Sequence, residues 1–491
     1  MQRRNFIELS AVTALFLMTG CGSSDSGSST PAPTPTTPAT LTLKTGDPLN
    51  IPTLLDPTAD AITGVKSYNL TIQESSHSFY NEVKTQTYGI NGSLLGPTLL
   101  LKDGDKVDIT YQNNLKEDTT IHGHGMHLPA SMDGGPHQKI VAGSSLKATY
   151  TVNQKACTNW YHPHLMGKTA EHVYKGLAGM IILEDSESQA LALPKTYGVD
   201  DIPLVVQDRI FDDNGELSYN PTNRDIMRGY RGDIFIVNGQ VNPIFDAKTG
   251  LLRLRLLNGS NAGVYDFSFS DGRGFSQIAG DNSFLSSPIS LAKVRLSPGE
   301  RAEIVVDLSG DSNSTIKLNV TETIDARSAT ILSINVGNTA SAVQNLPSTL
   351  TGTLDVVDES LSAKTRLFTL EGTGGGNPIL TINNKEMDID RIDERVPVNQ
   401  TEVWEVTNTM NATHNFHIHA SHFRVLDRNG LASAVAENEK GYKDTVIIPP
   451  NEKVRILIKM TDYTDTTLPY MYHCHFLEHE DAGMMGQFTV E

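Results

Sequence analysis

One pattern, met three times, constrains this 491-residue chain more than any other feature. An alternating run ends in Asn at residues 107–113 (VDITYQN), 252–258 (LRLRLLN) and 402–408 (EVWEVTN). Nine positions after each Asn a triplet begins: His122-Gly123-His124, Phe267-Ser268-Phe269 and His417-Ile418-His419. Alternation with a period of two marks a half-buried strand, and recurrence on this scale marks duplicated structural units. Short runs of this kind, broken by Gly, Pro, Asn and Asp, fill most of the chain, and long helical periodicity is scarce. The expectation is an all-β protein of three β-sandwiches over residues 41–187, 188–345 and 346–491, preceded by a leader and tether over 1–40. A short local helix is expected near residues 186–193.

The triplets assign chemistry to the outer copies. Where these carry His-x-His the middle copy carries Phe-x-Phe, so the middle sandwich is read as keeping the strand and filling the position with core. A looser echo follows, Tyr161-His162-Pro163-His164 matching Tyr472-His473-Cys474-His475. Of 15 His, ten fall in four motifs: His122/His124, His162/His164, His414/His417/His419 and His473/His475/His479. On a strand, residues i and i+2 point the same way, ~6.5–7 Å apart, so each His-x-His aims two imidazoles at one place. A single such pair is weak evidence. Four at matching points of two repeats are hard to reach by chance, and they require the outer sandwiches to meet in space.

The last motif is the most informative. On an extended segment His473 and His475 share one face and Cys474 takes the other. Cys474 can therefore bind a different metal from its neighbours while joined to them through a few covalent bonds. Two imidazoles, a thiolate and a weak axial thioether form the ligand set of a blue-copper electron-transfer site, here His414, Cys474, His479 and Met484. Zinc accepts the same donors, but a structural zinc needs only four ligands and has no redox chemistry to use the Cys474 bridge. Eight His remain, four from each outer sandwich. That number suits a trinuclear copper cluster with two type 2 and six type 3 imidazoles.

From about residue 94 to 491 the chain resembles the multicopper oxidases, the laccase and cuprous-oxidase group built of three cupredoxin-like Greek-key β-sandwich domains. The four motifs carry the resemblance, with Gly176-Leu177-Ala178-Gly179 and His479-Glu480-Asp481-Ala482-Gly483-Met484-Met485 beside them. It implies four copper ions: one type 1, one type 2 and two type 3. By motif position, His122 and His417 would hold type 2; His124, His162 and His475 one type 3; His164, His419 and His473 the other; Met484 would be axial at type 1. It further implies that Asp133 and Glu480 relay protons, since reduction of dioxygen to water consumes them. The residues alone also allow Asp133 to head an Asp-Gly-Gly turn and Glu480 to be a surface acid.

Two departures from the family's pattern matter. Gly123 stands where an aromatic is usual in the first motif, which touches rigidity rather than ligation. Copper-efflux relatives carry a Met-rich insertion before the third motif, whereas residues 337–403 hold only Met387. The type 1 edge is therefore expected to be open and to favour a phenolic or aromatic reductant. Cu(I) is the alternative, and Met410, four residues before His414, is read as a packing residue before a Cu(I) ligand. His77, His127, His137, His172 and His422 lie outside the ligand pattern and are read as bonded or exposed. Cys157 is read as a buried free thiol.

The first forty residues read as an address. Arg3-Arg4 precede a short apolar run at residues 11–18, and Met18-Thr19-Gly20-Cys21 resembles a lipobox. Arg3-Arg4-Asn5-Phe6-Ile7 also resembles a twin-arginine signal. A Gly/Ser and then Pro/Thr run makes a tether. The expectation is export to the periplasm or cell surface with a lipid anchor at Cys21, as a monomer. The net charge of -18 argues against nucleic-acid partners. Remaining partners are dioxygen and a small reductant. Rival readings are a cuprous oxidase for copper tolerance, a copper store or metal-free structural relative, and a nitrite reductase, for which the type 3 pairs would be superfluous.

Overall fold

The structure is a computed structural model that describes residues 40–343, 345–350, 358–374 and 378–491. The signal-like segment, Cys21 and the Pro/Thr run to residue 39 lie outside the described residues. Residues Leu41–Glu491 form one compact unit. Among the described residues no helix is long and apolar enough to cross a membrane.

The threefold repeat is a topological repeat. Each Asn-terminated strand pairs parallel with an earlier strand, two others intervening: Lys106–Asn113 with Lys66–His77, Leu251–Asn258 with Asp201–Arg209, and Thr401–Asn408 with Lys364–Thr373. Each pairs antiparallel with a later strand: Ser145–Thr151, Arg301–Asp307 and Lys453–Lys459. A second sheet, carrying the triplet, completes each sandwich. Each sandwich has its own main apolar core, and in the middle one the strands Asp201–Arg209 and Leu251–Asn258 are buried on both faces. The first core is built around Leu70, Ile109 and Tyr161, the second around Leu254, Phe267 and Leu318, and the third around Trp404, Phe416 and Phe488. Residues 45–49 leave the first sandwich: Thr45 and Pro48 bridge to Val241 and Ile244, and Leu49 enters the second core.

The repeated Asn explains the constant spacing. Its Oδ1 accepts the backbone N–H two residues on, Leu115, Ser260 or Met410, at 3.0 Å each time. Its Nδ2 donates to carbonyls that hold the following loop against the sheet: Glu117 and Ile140 for Asn113, Gly263 and Leu296 for Asn258, Ala412, Ile448 and Pro449 for Asn408. An Asx-type turn thus sets the chain's exit and delivers the triplet to the same place in each sandwich. In the middle copy that strand, Tyr265–Phe269, buries Phe267 and Phe269 in the core as expected. The expected local helix spans Ser186–Ala190 and is capped by Asp185, which accepts the Ser188 N–H at 2.7 Å.

Candidate metal centres

Strand register assembles the His motifs in pairs. In the first sandwich His122–His124 runs antiparallel to Cys157–His162, with His122 opposite His162. In the third, His417 lies opposite His473. At the matching point of the middle sandwich Phe267 lies opposite Val320, an apolar pair in place of two imidazoles. The two outer sandwiches then meet ring on ring. His122 stacks on His419 with centroids 3.8 Å apart, and His124 stacks on His417 at 3.7 Å.

Among the described residues five buried groups of ligating side chains result: His124, His162 and His475; His164, His419 and His473; His122, His417 and His419; His414, Cys474 and His479; and His124, His417 and Asp444. Within each, one ligand atom per residue lies within 4.8 Å of the others. The Nε2 atom of His473 is 3.1 Å from that of His164 and 3.2 Å from that of His419. The opposite ring nitrogens face acceptors. His419 Nδ1 lies 2.7 Å from Asp133 Oδ2, His122 Nδ1 2.8 Å from the Asp133 carbonyl, and His417 Nδ1 2.9 Å from the Asp444 carbonyl. His162 Nδ1 lies 2.8 Å from the Pro163 carbonyl, and His473 Nδ1 3.1 Å from Glu480 Oε2. These acceptors fix the Nδ1–H tautomer and leave Nε2 lone pairs converging on one space. The Nε2 atoms of His122, His124, His162, His417 and His475 are buried without a protein partner. Converging orphaned lone pairs are what a cluster of cations satisfies, so the residues fit copper.

Burial favours the neutral, ligating form of nine rings. It lowers His164 and His473 to about 3 and His414 and His417 to about 4. It drives His124, His162, His419, His475 and His479 well below the usual imidazole range. Burial pushes the Cys474 thiol up to about 12, so a thiolate there needs a metal to stabilise it.

At the fourth group, Cys474 Sγ lies 3.4 Å from His414 Nδ1 and 3.6 Å from His479 Nδ1. The two imidazole nitrogens are 3.2 Å apart. Met484 is fully buried in the same core, and its carbonyl accepts the Cys474 N–H at 3.1 Å. The next ligand-bearing residue is held as well: Asn415 Oδ1 accepts the His475 N–H at 2.6 Å.

The type 1 edge differs from expectation. His414 is 0% and His479 1% exposed. The helix Asn223–Arg228 of the middle sandwich supplies Ile226 and Met227, which pack against the third core, and the Met227 backbone lies beside the His479 ring. A neighbouring sandwich thus covers this edge. Met410 packs against the third core beside Gly372. At Gly123 the space an added Cβ would enter is filled by Met126 and Leu128. Asp133 and Glu480 are both buried against imidazoles, Glu480 Oε1 lying 3.4 Å from His164 Nδ1. Burial raises the Glu480 carboxyl, partly countered by His164.

The five remaining His all have partners: Ser93 and Gly239 for His77, Ala420 and Asp462 for His127, Gln487 for His137, Thr119 for His172 and Gly125 for His422. Cys157 is a buried free thiol, pushed up to about 12 by burial. Sequence reasoning missed three residues at the cluster. Trp160 stacks on His162 at 4.1 Å. Asp444 groups with His124 and His417, and Arg301 reaches them from the middle sandwich. Trp160 lies two residues before His162 on one strand, so local alternation already puts both on one face; only long-range register brings in Asp444 and Arg301.

Comparison with known proteins agrees with this geometry. The family described as "Multicopper oxidase" matches residues 71–188 and 359–491. The chain is 38% identical to multicopper oxidase mco of Staphylococcus aureus over 446 residues, 90% of this chain and 92% of that one. It is 36% identical to cell division protein FtsP of Xenorhabdus nematophila over 434 residues, 86% and 88% of the two chains. The solved structure of a laccase-like multi-copper oxidase, CueO, from Ochrobactrum sp. superposes with a TM-score of 0.83 at 35% identity, covering 90% of this chain and all of that one. The sandwiches are thus cupredoxin-like, as expected. Fold, buried imidazole groups and relatives together make this chain a member of the multicopper oxidase family, copper-dependent oxidoreductases that use dioxygen as electron acceptor.

Proposed function

We propose that the chain holds four coppers and couples one-electron oxidations of a phenolic or aromatic reductant to the four-electron reduction of dioxygen to water. In this reading His414, Cys474 and His479, with Met484 beside them, would hold type 1, and His122 and His417 would hold type 2. His124, His162 and His475 hold one type 3 ion, and His164, His419 and His473 the other. One observation carries it. Cys474 belongs to one group of ligating atoms, while its two sequence neighbours belong to two others. Bound copper would supply the one-electron steps at the Cys474 group and the chemistry of dioxygen at the imidazole cluster.

The chain's own part is wiring, protons and access. The peptide from Cys474 to His473 and His475 is a short covalent path between the groups. Glu480, its carboxyl raised by burial, faces His164 and His473 beside the cluster. Asp133, accepting from His419, is the second acid in reach. Both are proposed as proton relays. A cleft of about 620 Å³ lined by Met166, Glu386, Met387, Asp388 and Arg391 adjoins the Met484 loop, where the Met387 N–H donates to the Gly483 carbonyl at 3.0 Å. Its size admits a small aromatic. The similar Ochrobactrum enzyme is described as an oxidase of lignin model compounds.

A second reading has its own support. The cleft offers two thioethers and two carboxylates, with Met471 and Met485 packed behind Met387, a soft donor set suited to Cu(I). Oxygen uptake with Cu(I) and with a phenol decides between the reductants. The copper assignment itself is tested by Cys474→Ser. The expected result is loss of the blue colour and a fall of at least ~100-fold in oxygen uptake; survival of both overturns the assignment. Export, with a lipid anchor at Cys21 and a monomeric state, completes the proposal; mass spectrometry of the mature N-terminus tests the anchor.

A further inference from the structure

The middle sandwich carries no ligand, yet Arg301 at the start of its strand Arg301–Asp307 is buried at the cluster. Every guanidinium N–H is bonded, and the acceptors come from all three sandwiches. Nε donates to the Thr158 carbonyl at 2.9 Å and Nη2 to Asn159 Oδ1 at 2.8 Å, both in the first sandwich. Nη1 donates to the Gly299 carbonyl at 3.1 Å and Nη2 to the Asp281 carbonyl at 3.0 Å, both in the second. Nη1 and Nη2 grip the two Asp444 carboxylate oxygens of the third at 2.7 Å each. This bidentate fork fixes orientation as well as distance.

The next residue back is gripped in the opposite sense. Lys443, beside Asp444, is buried between Asp281 at 2.9 Å and Glu300 at 3.1 Å, both of the middle sandwich. Two reciprocal ion pairs therefore bind the segment Lys443-Asp444 to the middle sandwich. That segment in turn sets a ligand: the Asp444 carbonyl faces His417 Nδ1 at 2.9 Å and accepts the Ile418 N–H at 3.1 Å. Arg301 Nη1 also lies 3.5 Å from Nδ1 of His124, the ring stacked on His417. Gly125, following His124 at φ +82°, passes so close that an added Cβ would sit 2.6 Å from both Arg301 Nη2 and Asp444 Oδ2.

We infer that Arg301 is a positioning residue for the trinuclear cluster: the ligand-free middle sandwich sets the register between His124 of the first sandwich and His417 of the third through the Arg301–Asp444 pair. The inference rests on the assignment of the eight imidazoles to copper. Its signature is selective. His414, Cys474 and His479 all belong to the third sandwich, so their metal does not depend on this register.

The test uses the full copper-loaded protein and the double variant Arg301→Met/Asp444→Asn, which removes both charges and strands neither. The expected product keeps the blue type 1 copper and loses the remaining coppers along with the near-ultraviolet band of the type 3 pair. A double variant with wild-type copper content and both bands overturns the inference. If the double variant does not fold, Arg301→Lys decides: a lysine keeps the charge but cannot span the three sandwiches. Expected then is loss of cluster copper to a chelator ~10-fold faster than in wild type, with type 1 loss unchanged; equal rates overturn it. A wild-type protein that itself holds type 1 copper alone would instead refute the underlying assignment.

Discussion

The Nε2 atoms of His164 and His473 lie 3.1 Å apart, one from each ligand-bearing sandwich. Their Nδ1 atoms both face Glu480, at 3.4 and 3.1 Å. With those nitrogens turned to a carboxylate, the facing Nε2 lone pairs repel unless a cation draws them together. The metal-free protein therefore carries strain at the junction between sandwiches that copper relieves. Stripping copper should lower the melting temperature, and adding it back should raise it in a concentration-dependent way. At a thousandfold excess over Kd each site contributes about 4 kcal/mol. Calorimetry with and without chelator checks this, and identical melting curves would contradict it.

Asp133 and Glu480 contact imidazoles and leave carboxylate oxygens without a partner beside the cluster. If they pass protons, Asp133→Asn and Glu480→Gln should each slow reoxidation by dioxygen by ~100-fold, the lower part of the usual general-acid range. Bleaching of the blue colour by reductant without oxygen should be unchanged, because it consumes no proton at the cluster. Stopped-flow absorbance separates the two half-reactions. Equal slowing of both would assign these acids a structural role only.

What could be read in advance was what is local. The Asx turn at Asn113, Asn258 and Asn408 is closed within a few residues, so its spacing survives in the sequence. The alternation about Cys474 is a property of three consecutive residues. Arg301 and Asp444 are 143 positions apart, and nothing in the composition of either segment marks the pair. The expectation of an open type 1 edge fails for the same reason: it looks only to residues 337–403, whereas Met227 arrives from the second sandwich.

Glu303 predicts an acid limb in the stability profile. Burial alone would raise its carboxyl, but Arg253, Arg255 and a hydrogen bond from Thr158 outweigh burial and hold it at about 2, against an ordinary 4.5. A depressed folded-state value means the stabilisation is complete above the unfolded value and is lost as pH falls from about 4.5 through about 2. Glu303→Gln leaves Arg253 and Arg255 short of a counter-charge and should cost about 3 kcal/mol at neutral pH. It should also flatten the loss of stability in that acid window. Urea unfolding across pH checks both; a variant with the parent's acid slope would remove Glu303 from the account.

The three turn asparagines offer a comparison internal to one chain. Each has its side chain buried, and each bonds one N–H and at least two carbonyls. Replacing any of them with Ala leaves one donor and at least two acceptors unmet, all of them buried around Asn258 and some only part-buried around Asn113 and Asn408, at roughly 1–3 kcal/mol per buried group before relaxation. The expected loss is about 3 kcal/mol for Asn113→Ala, Asn258→Ala and Asn408→Ala alike, measured on copper-free protein so that metal affinity does not enter. The equality is the sharp part. If the asparagines were retained only where a His-x-His must be delivered, Asn258→Ala would be close to neutral, because its triplet ends in Phe267 and Phe269, which no metal needs. A common loss in all three means that the turn serves the sandwich first, and that the ligands of the outer copies were placed on a strand whose exit the fold had already fixed.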